Sequence, residues 1–232
     1  MNPVVLEALH GEALAMVASV KRTRCGTSLM DGSAGIATYA NYLREVYHYM
    51  HAGQSALVLA VERMLEQGRH VPLALLLQEK AVSTAGLDLR VLADLETLGF
   101  SRADVINSTP APATQAYIAW SRFLSLSDHP LGHFGDVYML EYLAATCAGP
   151  VADGLARTGR IPGIRRALGF VRGRADAREG QVRTLAGTLP PVDDPEEVDV
   201  ILTAARATRL LYGGILSAVD GMSTMPARRA RV

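Results

Sequence analysis

Cysteine, net charge and long apolar runs are all scarce in this sequence, and each shortage excludes something. Among 232 residues there are two cysteines, Cys25 and Cys147, far apart and in no CxxC pair. That argues against a disulfide framework and for a reducing cytoplasm. Lys plus Arg and Asp plus Glu number 23 each, so the formal net charge is zero. No electrostatic case exists for nucleic acid or for an anionic membrane surface. The longest largely apolar run is about ten residues, Leu210 to Val219 with Ser217 inside it, whereas a membrane-spanning helix needs about 20. The start, Met1-Asn2-Pro3, shows no basic region followed by an apolar core, which argues against a secretory signal. Strand signals are also missing, as are GxGxxG, the Walker loop, HExxH and GxSxG.

What is present is helical periodicity. Apolar residues make up 49% of the chain, enough for a sizeable core. A first helix is expected from about Val4 to Val20, followed by a loop over Lys21 to Gly32. Ser33 is expected to cap a helix running through Tyr39, Tyr47 and His51 to Gln67, with a bend at Gly53 and a stop at Gly68. Pro72 suits the first turn of a helix carrying Leu73 to Leu98 and ending at Gly99. Ser101 caps a short turn of helix, and Pro110 and Pro112 open another covering Thr114 to Leu126. After a turn at Asp128 to Pro130, a helix from Leu131 to Ala148 should break at Gly149-Pro150, with Val151 to Thr158 a short successor. Pro162 starts a helix to about Leu189, ended by Pro190-Pro191. Asp194-Pro195-Glu196-Glu197 combines a cap, a first-position proline and first-turn acids, and opens the last helix, to about Val219. Met225 to Val232 is a basic tail expected to fray. The expectation is one all-α domain over 1–232, a bundle of seven to eight helices.

Four stretches carry a family resemblance: Tyr39 to Met50; Gly86 to Gly99, ending Asp-Leu-x-x-Leu-Gly; Gly135 to Glu141, holding Tyr-x-Leu-Glu; and Phe170 to Gln181. Together they resemble the heme-oxygenase-like diiron oxidases, relatives of the TenA thiaminases and the PqqC quinone-cofactor synthases. The resemblance implies a heme-oxygenase-like helical bundle. It also implies six metal ligands: a Glu and a His seven residues apart on one helix, the Glu of Tyr-x-Leu-Glu, and a His, Asp, His series at i, i+4 and i+7. Such spacing puts side chains on one helical face, so they can converge on a buried metal pair. In this chain those positions fall at Lys80 and Leu87, at Glu141, and at Arg174, Arg178 and Gln181. Only Glu141 keeps a ligand.

Lys80, Arg174 and Arg178 would replace part of the positive charge that two metal ions supply. They make either a structural salt-bridge cluster or a pocket for an anionic, carboxylate-bearing small molecule. The expected site is therefore Glu141 with His48 as proton-moving groups, and Arg174, Arg178, Gln181, Lys80, Tyr47 and Tyr138 as substrate contacts. No cofactor is expected, and iron is disfavoured. A rebuilt metal site of Glu45, His48, His51 and Glu141 is the third choice, because His48 also fits as a hydrogen-bonded core histidine. His129 and His133 read as loop residues beside Pro130 and Gly132. Cys147 reads as buried and inert among small residues, although TenA proteins use a cysteine nucleophile. His10 would be the only proximal heme ligand candidate, and heme is disfavoured. The function expected is a diverged oxidase-superfamily enzyme of small-molecule or acyl metabolism without a diiron site, or else a non-catalytic binding homologue. Packed apolar helices are compatible with a homodimer.

Overall fold

The computed structural model describes residues 3–176, 192 and 194–223. Every regular element among them is helical: α1 Pro3–Val20, α2 Arg24–Asp31, α3 Ile36–Gln67, α4 Val71–Thr84, α5 Leu87–Thr97, α6 Arg102–Ile106, α7 Pro112–Leu126, α8 Gly132–Thr158, α9 Gly169–Asp176 and α10 Pro195–Gly221, with a 3-10 turn at Ile164–Arg166. No described helix is long and apolar enough to cross a membrane.

Helical spacing of apolar residues explains the packing. On α1, Val5, Leu9, Ala13, Met16 and Val20 share one face, and all are buried. At 32 residues α3 is about 48 Å long, and it packs against α7, α4 and α5. Across from it, α8 packs against α10, α9, α2 and α1. The two long helices are joined through α7 and α10, which touch both.

Several boundaries differ from expectation, each for a local reason. Lys21 to Gly32 is mostly helix: the Thr23 hydroxyl accepts from the Gly26 amide at 3.0 Å and caps α2. Ser33 does not cap α3. Its amide donates to Asp31 Oδ1 at 2.7 Å, and Gly35 takes the cap position without a side-chain bond. Helix α3 is continuous through Gly53. The expected helix from Leu73 to Leu98 is split at Gly86, whose φ of 77° no other residue type adopts easily. By contrast α8 runs straight through Gly149-Pro150. Proline there removes one backbone bond, but Leu143, Cys147 and Ala148 before it and Ala152 and Leu155 after it bury one continuous face. His133 is accordingly inside α8 and buried, not in a loop.

The helix expected from Pro162 begins only at Gly169, and the part beyond Asp176 lies outside the described residues. A different element starts it. The Asp94 carboxylate on α5 accepts from the amides of Gly169 (3.0 Å) and Phe170 (2.8 Å). This cross-helix cap is what the Asp of Asp-Leu-x-x-Leu-Gly does. Asp194 caps α10 as expected, accepting from the Glu196 amide at 2.9 Å.

Candidate functional site

A cavity of about 160 Å³ lies between α3, α4, α7, α8, α9 and α10, with the end of α1 and α2 closing it. Most of its wall is apolar, with Leu29, Met50, Leu57, Val137 and Leu140 among the contributors. Two groups of polar side chains interrupt that wall.

At the first, Lys80 of α4 and Arg174 of α9 converge on Glu141 of α8. Lys80 Nζ and Arg174 Nη2 each lie 2.8 Å from the same oxygen, Oε1. Glu141 is 5% exposed. Burial alone pushes its carboxyl up, but Arg174 and Lys80 outweigh burial and hold it below the ordinary carboxylate range. Burial also weakens the Lys80 ammonium, pulling it below the usual lysine range; Glu141 opposes this and Arg174 adds to it. Arg174 depends on the Asp94 cap, because the cap fixes where α9 begins.

The second group surrounds Asp136, five residues before Glu141 on α8. Asp136 Oδ1 accepts from the Tyr117 hydroxyl at 2.6 Å and the Thr208 hydroxyl at 2.7 Å. Tyr49 packs edge-on against both Tyr117 and Tyr212, with ring centroids 5.5 and 6.1 Å away. The Tyr212 hydroxyl interacts with those of Tyr42 and Tyr49. Burial raises all these phenols, Tyr42 to about 12, so they are neutral donors and acceptors. His133 Nε2 donates to the Ser121 carbonyl at 3.1 Å and sits 2.8 Å from the Ser125 hydroxyl; burial lowers its basicity.

Of the residues expected at the site, Glu141, Lys80 and Arg174 meet on the cavity wall. Arg178 and Gln181 lie outside the described residues. His48, Tyr47 and Tyr138 do not line the cavity. His48 Nε2 is 2.8 Å from the Ser108 hydroxyl, and burial lowers its basicity against the pull of Glu45. Tyr47 stacks on His51, and Tyr138 on Tyr142. The side chains of the Glu45, His48, His51 face go to separate partners: beside the His48–Ser108 contact, Glu45 takes Arg44 and the Ala111 amide, while His51 Nδ1 is 2.9 Å from Asp88. Among the described residues no three His, Cys, Asp or Glu side chains are grouped to hold a metal ion. His10 is exposed and edge-on to Tyr142. Cys147 is on the cavity wall, and burial raises its thiol.

Sequence reasoning missed Asp136, Tyr117, Thr208 and Tyr212. One signal was available for the first. An acid directly followed by Val137-Tyr138-Met139-Leu140 stands in an apolar helical run, where it must be buried and partnered.

A helical chain closed round such a cavity has the heme-oxygenase-like fold, the class implied by the four sequence stretches. Solved structures of that class superpose on it. A domain of unknown function with a heme oxygenase-like fold from Shewanella denitrificans OS217 matches with a TM-score of 0.74 at 25% identity, over 93% of this chain and 92% of that one. A TenA homolog from Pseudomonas syringae pv. tomato gives the same TM-score and coverages at 13% identity. A heme oxygenase from Leptospira interrogans matches with a TM-score of 0.65 at 20% identity, over 92% of this chain and 98% of that one. These findings support a place in the heme-oxygenase-like, TenA–PqqC superfamily, and the last two show the fold alone. No family model and no curated protein matches the sequence.

Proposed function

We propose that the chain is a diverged enzyme of this superfamily that takes a small, carboxylate-bearing molecule into the cavity and works without a diiron centre. The observation that carries this reading is the Lys80–Glu141–Arg174 cluster on the wall of a cavity that still has room. Arg174 offers a planar fork of donors suited to a carboxylate. Lys80 adds a second positive charge. Glu141, anionic and able to swing one oxygen to a ligand, is the candidate proton acceptor. The described residues do not fit a diiron pair: Glu141 Oε1 is already held by two cations, and no carboxylate and imidazole set accompanies it. Two buried free thiols agree with a reducing cytoplasm.

A second reading makes the protein a non-catalytic binding homologue whose salt bridges fill the former metal site. The mutual pairing of Glu141 with its two cations favours it.

Metal analysis of the purified protein, with thermal-shift binding of short carboxylic acids, tests both. Substoichiometric iron and manganese are expected, with stabilisation by acids that Arg174→Gln abolishes. Stoichiometric iron or manganese overturns the metal-free reading. Acid binding without any turnover leaves the second reading.

A further inference from the structure

The buried acids of this chain differ in one respect that bears on the ligand. Glu45 has Arg44 and the Ala111 amide, Asp94 has two amides, Glu141 has Lys80 and Arg174, and Glu197 has Arg69 and His70. Asp136 is 6% exposed and lines the cavity, yet among the described residues no cation and no N–H reaches it. Both of its donors are hydroxyls, and both bind Oδ1. Oδ2 accepts from no donor among the described residues. Its neighbour one turn back, His133, is committed to Ser121 and Ser125. A carboxylate in a largely apolar, water-poor site is costly unless an opposite charge completes it.

The fold holds this acid in place. At Gly135 a Cβ would lie 2.3 Å from the Ile201 carbonyl oxygen, so only glycine lets α10 come this close to α8. That approach brings Thr208 to Asp136. Tyr117 on α7 holds it from another side.

We infer that Asp136 Oδ2 is the anchor for a protonated amine of the ligand, so that the cavity takes a small amino acid whose amine and acid lie at opposite ends. This rests on the reading that Arg174 and Lys80 receive a carboxylate. Asp136 and Glu141 are five residues apart on one helix, about 7.5 Å along its axis and about 140° round it, so the two groups lie further apart than that rise. An α-amino acid cannot span that distance; an ω-amino acid of four or five carbons, or a ring carrying the two groups at opposite positions, can. An apolar cavity of about 150 Å³ holds benzene, so this one, of about 160 Å³, has room for the ring or chain that separates the two charged ends.

Calorimetric binding to the full chain tests the inference. The probes are 5-aminopentanoate and 4-(aminomethyl)benzoate, their deaminated partners pentanoate and 4-methylbenzoate, and the matching amines pentylamine and 4-methylbenzylamine. The amino acids should bind about tenfold tighter than either single-charge partner, as one charged hydrogen bond provides. Asp136→Asn should bring the amino acids down to the affinity of the deaminated acids and leave those acids within about twofold of their own value. If acids bind with no preference for the amine, or if Asp136→Asn binds the amino acids unchanged, the inference fails while the carboxylate reading stands. If amines bind and acids do not, the carboxylate reading fails and the Asp136 anchor stands. Should no probe bind, both are overturned. The wild-type comparison decides the matter even if the variant does not fold.

Discussion

Two buried glutamates among the described residues each hold two basic side chains, and only one of them looks onto usable space. Glu141 meets Lys80 and Arg174 beside a cavity of about 160 Å³. Glu197, in the first turn of α10, meets Arg69 and His70 Nε2 beside a niche of about 10 Å³. The partners differ as well. Lys80 and Arg174 are nearly buried, whereas the Arg69 side chain is 55% exposed and can return to water. His70 takes a left-handed backbone with φ 52°, an uncommon conformation for a non-glycine residue, and so reaches Glu197. A charge cluster alone is therefore not a site. One of these pins the start of α10 to the connection between α3 and α4; the other joins α4, α8 and α9 on a wall that a ligand can touch.

The sharpest way to break the comparison is to remove each carboxylate. Glu141→Ala should cost about 3–5 kcal/mol in urea unfolding, because it strands two buried cations. Glu197→Ala should cost about 1–2 kcal/mol, since Arg69 rehydrates and only a helix-start acid and its hydrogen bonds are lost. Equal losses would show that the Glu141 cluster is no more buried in solution than the other.

Next is Gly135→Ala, which should destabilise by about 1–3 kcal/mol by forcing α8 and α10 apart. Gly53→Ala, on a helix face with nothing within 4 Å, should instead stabilise by about 0.5–1 kcal/mol. Thermal unfolding of the two variants checks the sign in each case.

A pH series sharpens the same point. The folded-state carboxyl of Glu141 lies below its unfolded value of about 4.3. Its stabilisation is therefore complete above that value and is lost as pH falls through the folded one. Unfolding free energies between pH 6 and 3 should fall more steeply for the wild type than for Glu141→Gln.

The smallest effect is expected at His48. His48→Ala should cost about 1 kcal/mol through the Ser108 bond and leave ligand affinity in the cavity unchanged. A large affinity loss in calorimetry would return His48 to the site.

Helix existence was legible wherever apolar spacing, a capping residue and a terminating glycine agreed, as at Gly68, Gly99 and Asp194. Boundaries failed where burial overrode a local rule. Pro150 stays inside α8 because the packed face continues beyond it, and Ser33 is not a cap because the cap position of α3 falls two residues later, at Gly35. At the site, Lys80, Glu141 and Arg174 could be named through a family pattern, since α4, α8 and α9 each supply one residue. Tyr47 and Tyr138 could not be told from Tyr42 and Tyr49. Which face of a helix meets a cavity depends on its rotation against its neighbours, and no spacing rule within one helix contains that.

From sequence alone came the all-helical class, because hydrophobic period is a local property. Tertiary structure alone decided where the charges meet. Glu141 came to share one oxygen between two cations, and Asp136 to be held by two hydroxyls, because of what other helices bring within 3 Å of each. Those distances are set by how α4, α7, α9 and α10 cross α8.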